Sequence, residues 1–142
     1  MENVKIVFSP KDEGQRITIY NIGKFFTGLD IIFKKIHTIE INEFKKYHTK
    51  EALTEREIYD LWLLIEKLKG SKKEKYYSPE ISSINYNSPL EIVIACTLIS
   101  PQVVNIGILM LGGKRTGRNS FEIKKGFIQI IVDLLNKGRL NR

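Results

Sequence analysis

Between Glu91 and Lys114 the chain carries no formal charge, although it is otherwise rich in lysine; the run is IVIACTLISPQVVNIGILMLGG, residues 92 to 113. About 20 uncharged residues suffice to span a bilayer, and the same length can supply a strand and a helix to a soluble core. The internal pattern favours the core. LEIVIACTL, residues 90 to 98, places Leu90, Ile92, Ile94, Cys96 and Leu98 on one side and Val93, Ala95 and Thr97 on the other. Both sides are largely apolar, as in a central strand covered on both faces. Pro101 breaks that run, and Ser100 as cap with Pro101 at the first position can open a short helix over QVVNIGILML, residues 102 to 111. Pro101, Gln102 and Asn105 also fall in the middle of the hypothetical span, where polar groups are costly. GGKRTGR would be a fitting cytoplasmic flank for such a span, so insertion of residues 92–113 remains an alternative.

Before this run the chain alternates between two periods. Val4, Ile6 and Phe8 repeat every second residue, and RITIY, residues 16 to 20, does the same after the turn residues PKDEGQ, which predicts a hairpin. From Asn21 the spacing changes to three and four, through Ile22, Phe26, Leu29, Phe33 and Ile36, as an amphipathic helix requires. LTEREIYDLWLLIEKLKG, residues 53 to 70, carries the start signals of a second helix. Thr54 and Glu57 fit a capping box, Leu53 and Ile58 a hydrophobic staple, and Gly70 a stop. Its buried stripe is Ile58, Leu61, Trp62, Ile65 and Leu68. SSINY, residues 82 to 86, reads as a strand that forms a hairpin with the run from Leu90. GGKRTGRNS, residues 112 to 120, lacks the residue order of a phosphate loop and reads as a basic hinge. Asn119 or Ser120 then caps a terminal helix with the stripe Phe121, Ile128, Ile131, Val132 and Leu135, widened by Ile130 and Leu134, while Lys124 and Lys125 face outward.

The expected fold is therefore α+β: a small antiparallel sheet of about four strands, made by two hairpins, with helices packed on one face and an amphipathic C-terminal helix. A chain of 142 residues with 42 % hydrophobic and 27 % charged residues fits one globular domain over residues 1–142, of which 112–142 are the hinge and terminal helix.

The formal charge of +7 is unevenly placed. Residues 1–111 hold 15 Lys+Arg against 14 Asp+Glu, whereas residues 112–142 hold 8 against 2. A basic end of this kind suits an acidic protein, nucleic acid or an anionic lipid surface. Lysines outnumber arginines 17 to 6, a bias that an AT-rich genome also produces. SKKEKYYSP, residues 71 to 79, adds Lys72, Lys73 and Lys75 beside Tyr76 and Tyr77, an interleaving that can hold a single strand by charge and stacking.

Catalytic and metal-binding patterns are not visible. Cys96 is the single cysteine, in a strand where it serves as a small hydrophobe, and His37 and His48 have no local partner for base chemistry. The expectation is a non-enzyme without cofactor or metal. One cysteine and an N-terminus lacking an apolar signal segment point to a cytoplasmic setting.

The run ISSINYNSPLEIVI, with Ser88, Pro89, Leu90, Glu91 and Ile92 at its centre and an apolar and then a charged helix after it, resembles the effector-associated, TRADD-N-like domains of bacterial conflict systems. The resemblance spans residues 80 to 137 and does not include the N-terminal hairpin. It implies a small α+β sandwich and an adaptor role that couples a sensor or NTPase to an effector in a defence system, sometimes beside a membrane segment. It implies no catalytic residues. The resulting expectation is a non-enzymatic protein-interaction module that binds a partner or a second copy through Lys114, Arg115, Arg118, Lys124, Lys125, Phe121, Ile128, Ile131 and Leu135. A nucleic-acid binder using the same basic end, and a membrane-acting effector, are the alternatives.

Overall fold

Val4, Ile6 and Phe8 do form one face of a strand, β1 (Asn3–Ser9), and all three are fully buried. The structure, a computed structural model, describes residues 2–9, 18–36, 47–67, 76–85 and 90–124. In chain order the elements after β1 are α1 (Ile19–Ile36), α2 (Glu55–Lys67), β2 (Ile81–Asn85), β3 (Leu90–Ala95), α3 (Pro101–Met110), β4 (Lys114–Gly117) and β5 (Ser120–Lys124). The class is α+β, but the described residues form a sheet of five strands in the order β2-β3-β1-β5-β4. It is also mixed: β1 runs parallel to β5 and antiparallel to β3.

Two expectations are corrected here. The strand expected over residues 16–20 is overturned at its described end: Ile19 and Tyr20 lie in the first turn of α1, and β1 pairs with β3 and β5, while Arg16 and Ile17 lie outside the described residues. The stretch read as hinge and helix start is β4, a turn and β5, so Phe121 and Lys124 lie on a strand. The expected remainder of the terminal helix lies outside the described residues.

Register explains the core. Val4 faces Ile94, Ile6 lies between Ile92 and Phe121, and Phe8 lies between Leu90 and Ile123. These side chains make one apolar face, which the helices cover. The Phe8 ring meets Phe25 of α1 edge-on at 5.2 Å, and Phe25 meets Phe26 in the same manner at 5.3 Å, arrangements that suit the ring quadrupoles. The opposite face of β3 is thinner than a strand covered on both sides would be, since Val93 and Ala95 are only half-buried. β3 ends at Ala95, and Leu98 is exposed.

The charge-free run is thus a strand, a bend and a helix. α3 contacts β1, α1 and α2, and Val103 through Met110 are all buried. A helix apolar on every side is stable only when surrounded in this way. Ser100 caps it, its Oγ accepting the Val103 N–H at 3.3 Å, with Pro101 in the first turn. At its other end Gly112 takes φ 86°. The Gly113 and Gly112 amides donate to Ile108 and Leu109 at 2.9 and 3.0 Å, the paired bonds of a Schellman stop. Among the described residues no helix is long and apolar enough to cross a membrane.

α2 begins as its sequence predicts. The Thr54 amide donates to Glu57 Oε1 at 3.1 Å, and the Glu57 amide to Thr54 Oγ1 at 3.2 Å. Leu61, Trp62 and Ile65 are buried, whereas Leu68 lies outside the described residues.

Candidate functional site

The basic hairpin differs from a free cationic surface. Lys114 Nζ is 3.8 Å from Glu51 across an exposed pair, a contact that contributes little in water. Arg115 is a clamp: its Nε donates to the Lys50 carbonyl at 3.1 Å, a terminal nitrogen donates to the His48 carbonyl, and its Cζ lies 4.8 Å from the Phe121 ring centroid. Its backbone N–H also donates to the Glu51 carbonyl at 2.6 Å. Burial pushes the guanidinium pKa down, and the carbonyl acceptors satisfy donors that burial would otherwise strand. Arg118 donates to Glu2 at 2.6 Å. Phe121 is fully buried beneath Arg115 and offers no surface to a partner, which corrects the expected stripe. Lys124 ends β5 opposite Ser9, and Lys125, Ile128, Ile131 and Leu135 lie outside the described residues.

Where these groups meet the N-terminal end of α3 there is a polar cleft of about 410 Å³, lined by Glu2, His48, Gln102, Asn105, Arg118 and Asn119 among others. The β4–β5 turn builds its wall. Asn119 holds φ 55°, a left-handed conformation that asparagine tolerates, and its carbonyl accepts the Lys5 N–H at 2.9 Å. Its side chain then bridges two elements, donating from Nδ2 to Glu2 at 3.1 Å and accepting at Oδ1 from Asn105 Nδ2 at 3.0 Å. Asn105 is the buried polar side chain in a helix of apolar ones. In the sequence it argued only against lipid; here it is a wall of a cavity. Glu2, His48 and Asn119 carry no sequence signal for this grouping, because contacts between distant segments assemble it.

A second surface lies at the far edge of the sheet. β2 is the end strand, all five of its residues are exposed, and Ile81 and Ile84 are 48 % and 43 % accessible. Both pair with residues of the buried row, Ile94 and Ile92, across an irregularity in the register. Beneath Ile81 a groove of about 170 Å³ runs along α1, lined by Phe26, Asp30, Phe33 and Ser78 among others. Asp30 fastens the segment before β2 to α1: its Oδ1 accepts from Tyr76 at 2.5 Å and from Ser78 at 2.8 Å. Burial and the adjacent Asp30 carboxylate push the Tyr76 pKa well up. Tyr76 is therefore engaged at its hydroxyl, while Tyr77 is exposed; Lys72, Lys73 and Lys75 lie outside the described residues.

Cys96 is half-buried, and burial together with the charge of Glu2 pushes its thiol pKa up, away from the thiolate that nucleophilic chemistry needs. His48 reaches the cleft, whereas His37 lies outside the described residues. Among the described residues no group of three or more His, Cys, Asp or Glu could hold a metal ion. Comparison with family models, curated proteins and solved structures finds no match.

Proposed function

We propose that this chain is a non-enzymatic interaction module that receives an extended segment of a partner protein along the outer edge of β2. The observation that carries this reading is the composition of that edge. Edge strands are commonly blunted by charge or proline, yet ISSIN carries neither and presents Ile81 and Ile84 as exposed apolar contacts. Strand addition would use main-chain hydrogen bonds for affinity and alternate side chains for selectivity, and the groove beneath Ile81 provides a place for one such side chain. The opposite edge is less open, because the Arg115 N–H of β4 already donates to Glu51. An adaptor role in a bacterial defence system, as the resemblance implies, is the setting this reading fits. Among the described basic side chains of the hairpin, Arg115 is held by the His48 and Lys50 carbonyl oxygens, so it is not a free cation for an extended nucleic-acid backbone.

The test is selection of binding peptides from a random library, followed by hydrogen exchange at residues 81–85 with and without the selected peptide. Binding should slow exchange there, and Ile84→Lys should weaken it by ~10-fold or more, since it removes an apolar contact and adds a charge. A peptide that leaves these amides unprotected, or binds Ile84→Lys equally well, refutes the reading. Concentration-dependent protection without peptide, accompanied by dimer formation in sedimentation, would replace the partner by a second copy.

A further inference from the structure

We propose that the polar cleft at the N-terminal end of α3 binds a small molecule carrying both a hydrogen-bond donor and an anionic group, as nucleoside monophosphates and sugar phosphates do. Asn105 supplies the first requirement. It is 5 % exposed, and its Oδ1 has no hydrogen-bond partner among the described residues. The orientation of its amide follows from the network. Glu2 as a carboxylate can only accept, so Asn119 turns its Nδ2 toward Glu2 and its Oδ1 toward Asn105. Asn105 must then donate from Nδ2, which leaves its Oδ1 as an acceptor facing no donor. A buried acceptor without a donor is costly, and a ligand N–H or O–H in the cleft would remove that cost.

The second requirement comes from the cleft's rim. Ser100, Pro101 and Gln102 bring the N-terminal end of α3 to it, where the helix dipole favours an anion. Arg115 and Arg118 also line the cleft, against Glu2 as its one described carboxylate. The Arg118–Glu2 pair is solvent-accessible, with side chains 84 % and 49 % exposed, so the guanidinium can exchange that partner for a phosphate at small cost. Asn105 lies one turn beyond Pro101, which sets donor and anion about 6 Å apart along the helix. A cleft of about 410 Å³ far exceeds the ~30 Å³ share of a single water.

The experiment is calorimetric titration of the full chain with adenosine 5′-monophosphate, ribose 5-phosphate, adenosine and inorganic phosphate. A phosphorylated probe should bind ~10-fold or more tightly than adenosine or phosphate alone, and comparing the first two distinguishes nucleotide from sugar phosphate. Arg118→Gln, at an exposed position, and Gln102→Glu, which adds negative charge at the helix N-terminus, should each weaken that probe by ~10-fold without lowering thermal stability. The proposal is overturned if no probe binds more tightly than about 1 mM, if phosphate alone binds equally well, or if both variants bind as the parent does. Binding here does not require the β2 edge, so Ile84→Lys should retain it.

Discussion

Gly107 of α3 packs against Phe33 and Leu29 of α1, and adding one methyl there sets two known effects against each other. In a helix interior, alanine is favoured over glycine by about 1 kcal/mol. A Cβ at this position would, however, lie 2.6 Å from Phe33 Cε1 and 3.1 Å from Leu29 Cδ1. Ordinary contact begins at 3.4 Å, so the Phe33 ring edge must withdraw by about 0.8 Å. Phe33 is 2 % exposed and Leu29 also belongs to the core, leaving the ring little room to withdraw. Overpacking a dense core costs about 1–3 kcal/mol, which exceeds the propensity gain through most of its range. Gly107→Ala is therefore expected to destabilise by about 1 kcal/mol net, read as a lower urea midpoint at unchanged slope. Phe33→Leu provides the control. Alone it leaves a void; combined with Gly107→Ala the new methyl has space, so the double mutant should be more stable than the two single effects predict, by at least about 0.5 kcal/mol. A neutral or stabilising Gly107→Ala whose effect adds simply to that of Phe33→Leu would refute the close approach of α1 and α3.

Two further predictions concern the joints that hold the 47–57 segment. Hydrogen bonds from the Lys50 side chain and the Thr54 backbone hold the Glu57 carboxyl below its ordinary value of 4.5. A depressed folded-state value means that the stabilisation is fully present above the unfolded value and is lost as pH falls through the folded one. Glu57→Gln should therefore flatten the acid limb of the stability profile below that value, and an unchanged limb would refute the assignment. Arg115→Lys keeps the charge but loses the planar fork that reaches the His48 and Lys50 carbonyls and covers Phe121. It should accelerate hydrogen exchange at the Arg115 amide, which donates to Glu51; exchange at the parent rate would show that the side chain does not hold this segment.

The elements legible in the sequence are those whose signals are local. The capping box of α2, the Ser100–Pro101 start of α3 and the period of α1 each lie within a few residues, and each is present in the structure. The misread elements depend on distant partners. RITIY alternates as a strand does, but β1 takes its neighbours from β3 and β5, and Ile19 instead opens α1. Phe121 fits a helical stripe with Ile128 as readily as a strand with Ile123. Asn119 distinguishes these readings by accepting a left-handed φ of 55° and closing a turn between β4 and β5. The same residue shows why the cleft was invisible. Its partners Glu2 and Asn105 lie 117 and 14 positions away, and none of the three is unusual for its own segment except Asn105 within an apolar helix. A polar side chain in that position costs stability unless it is satisfied, in lipid and in a protein core alike. Once the structure puts α3 in the core, the objection to a membrane span becomes a question about what completes Asn105, and half of the answer is a turn that no local pattern around α3 could have supplied.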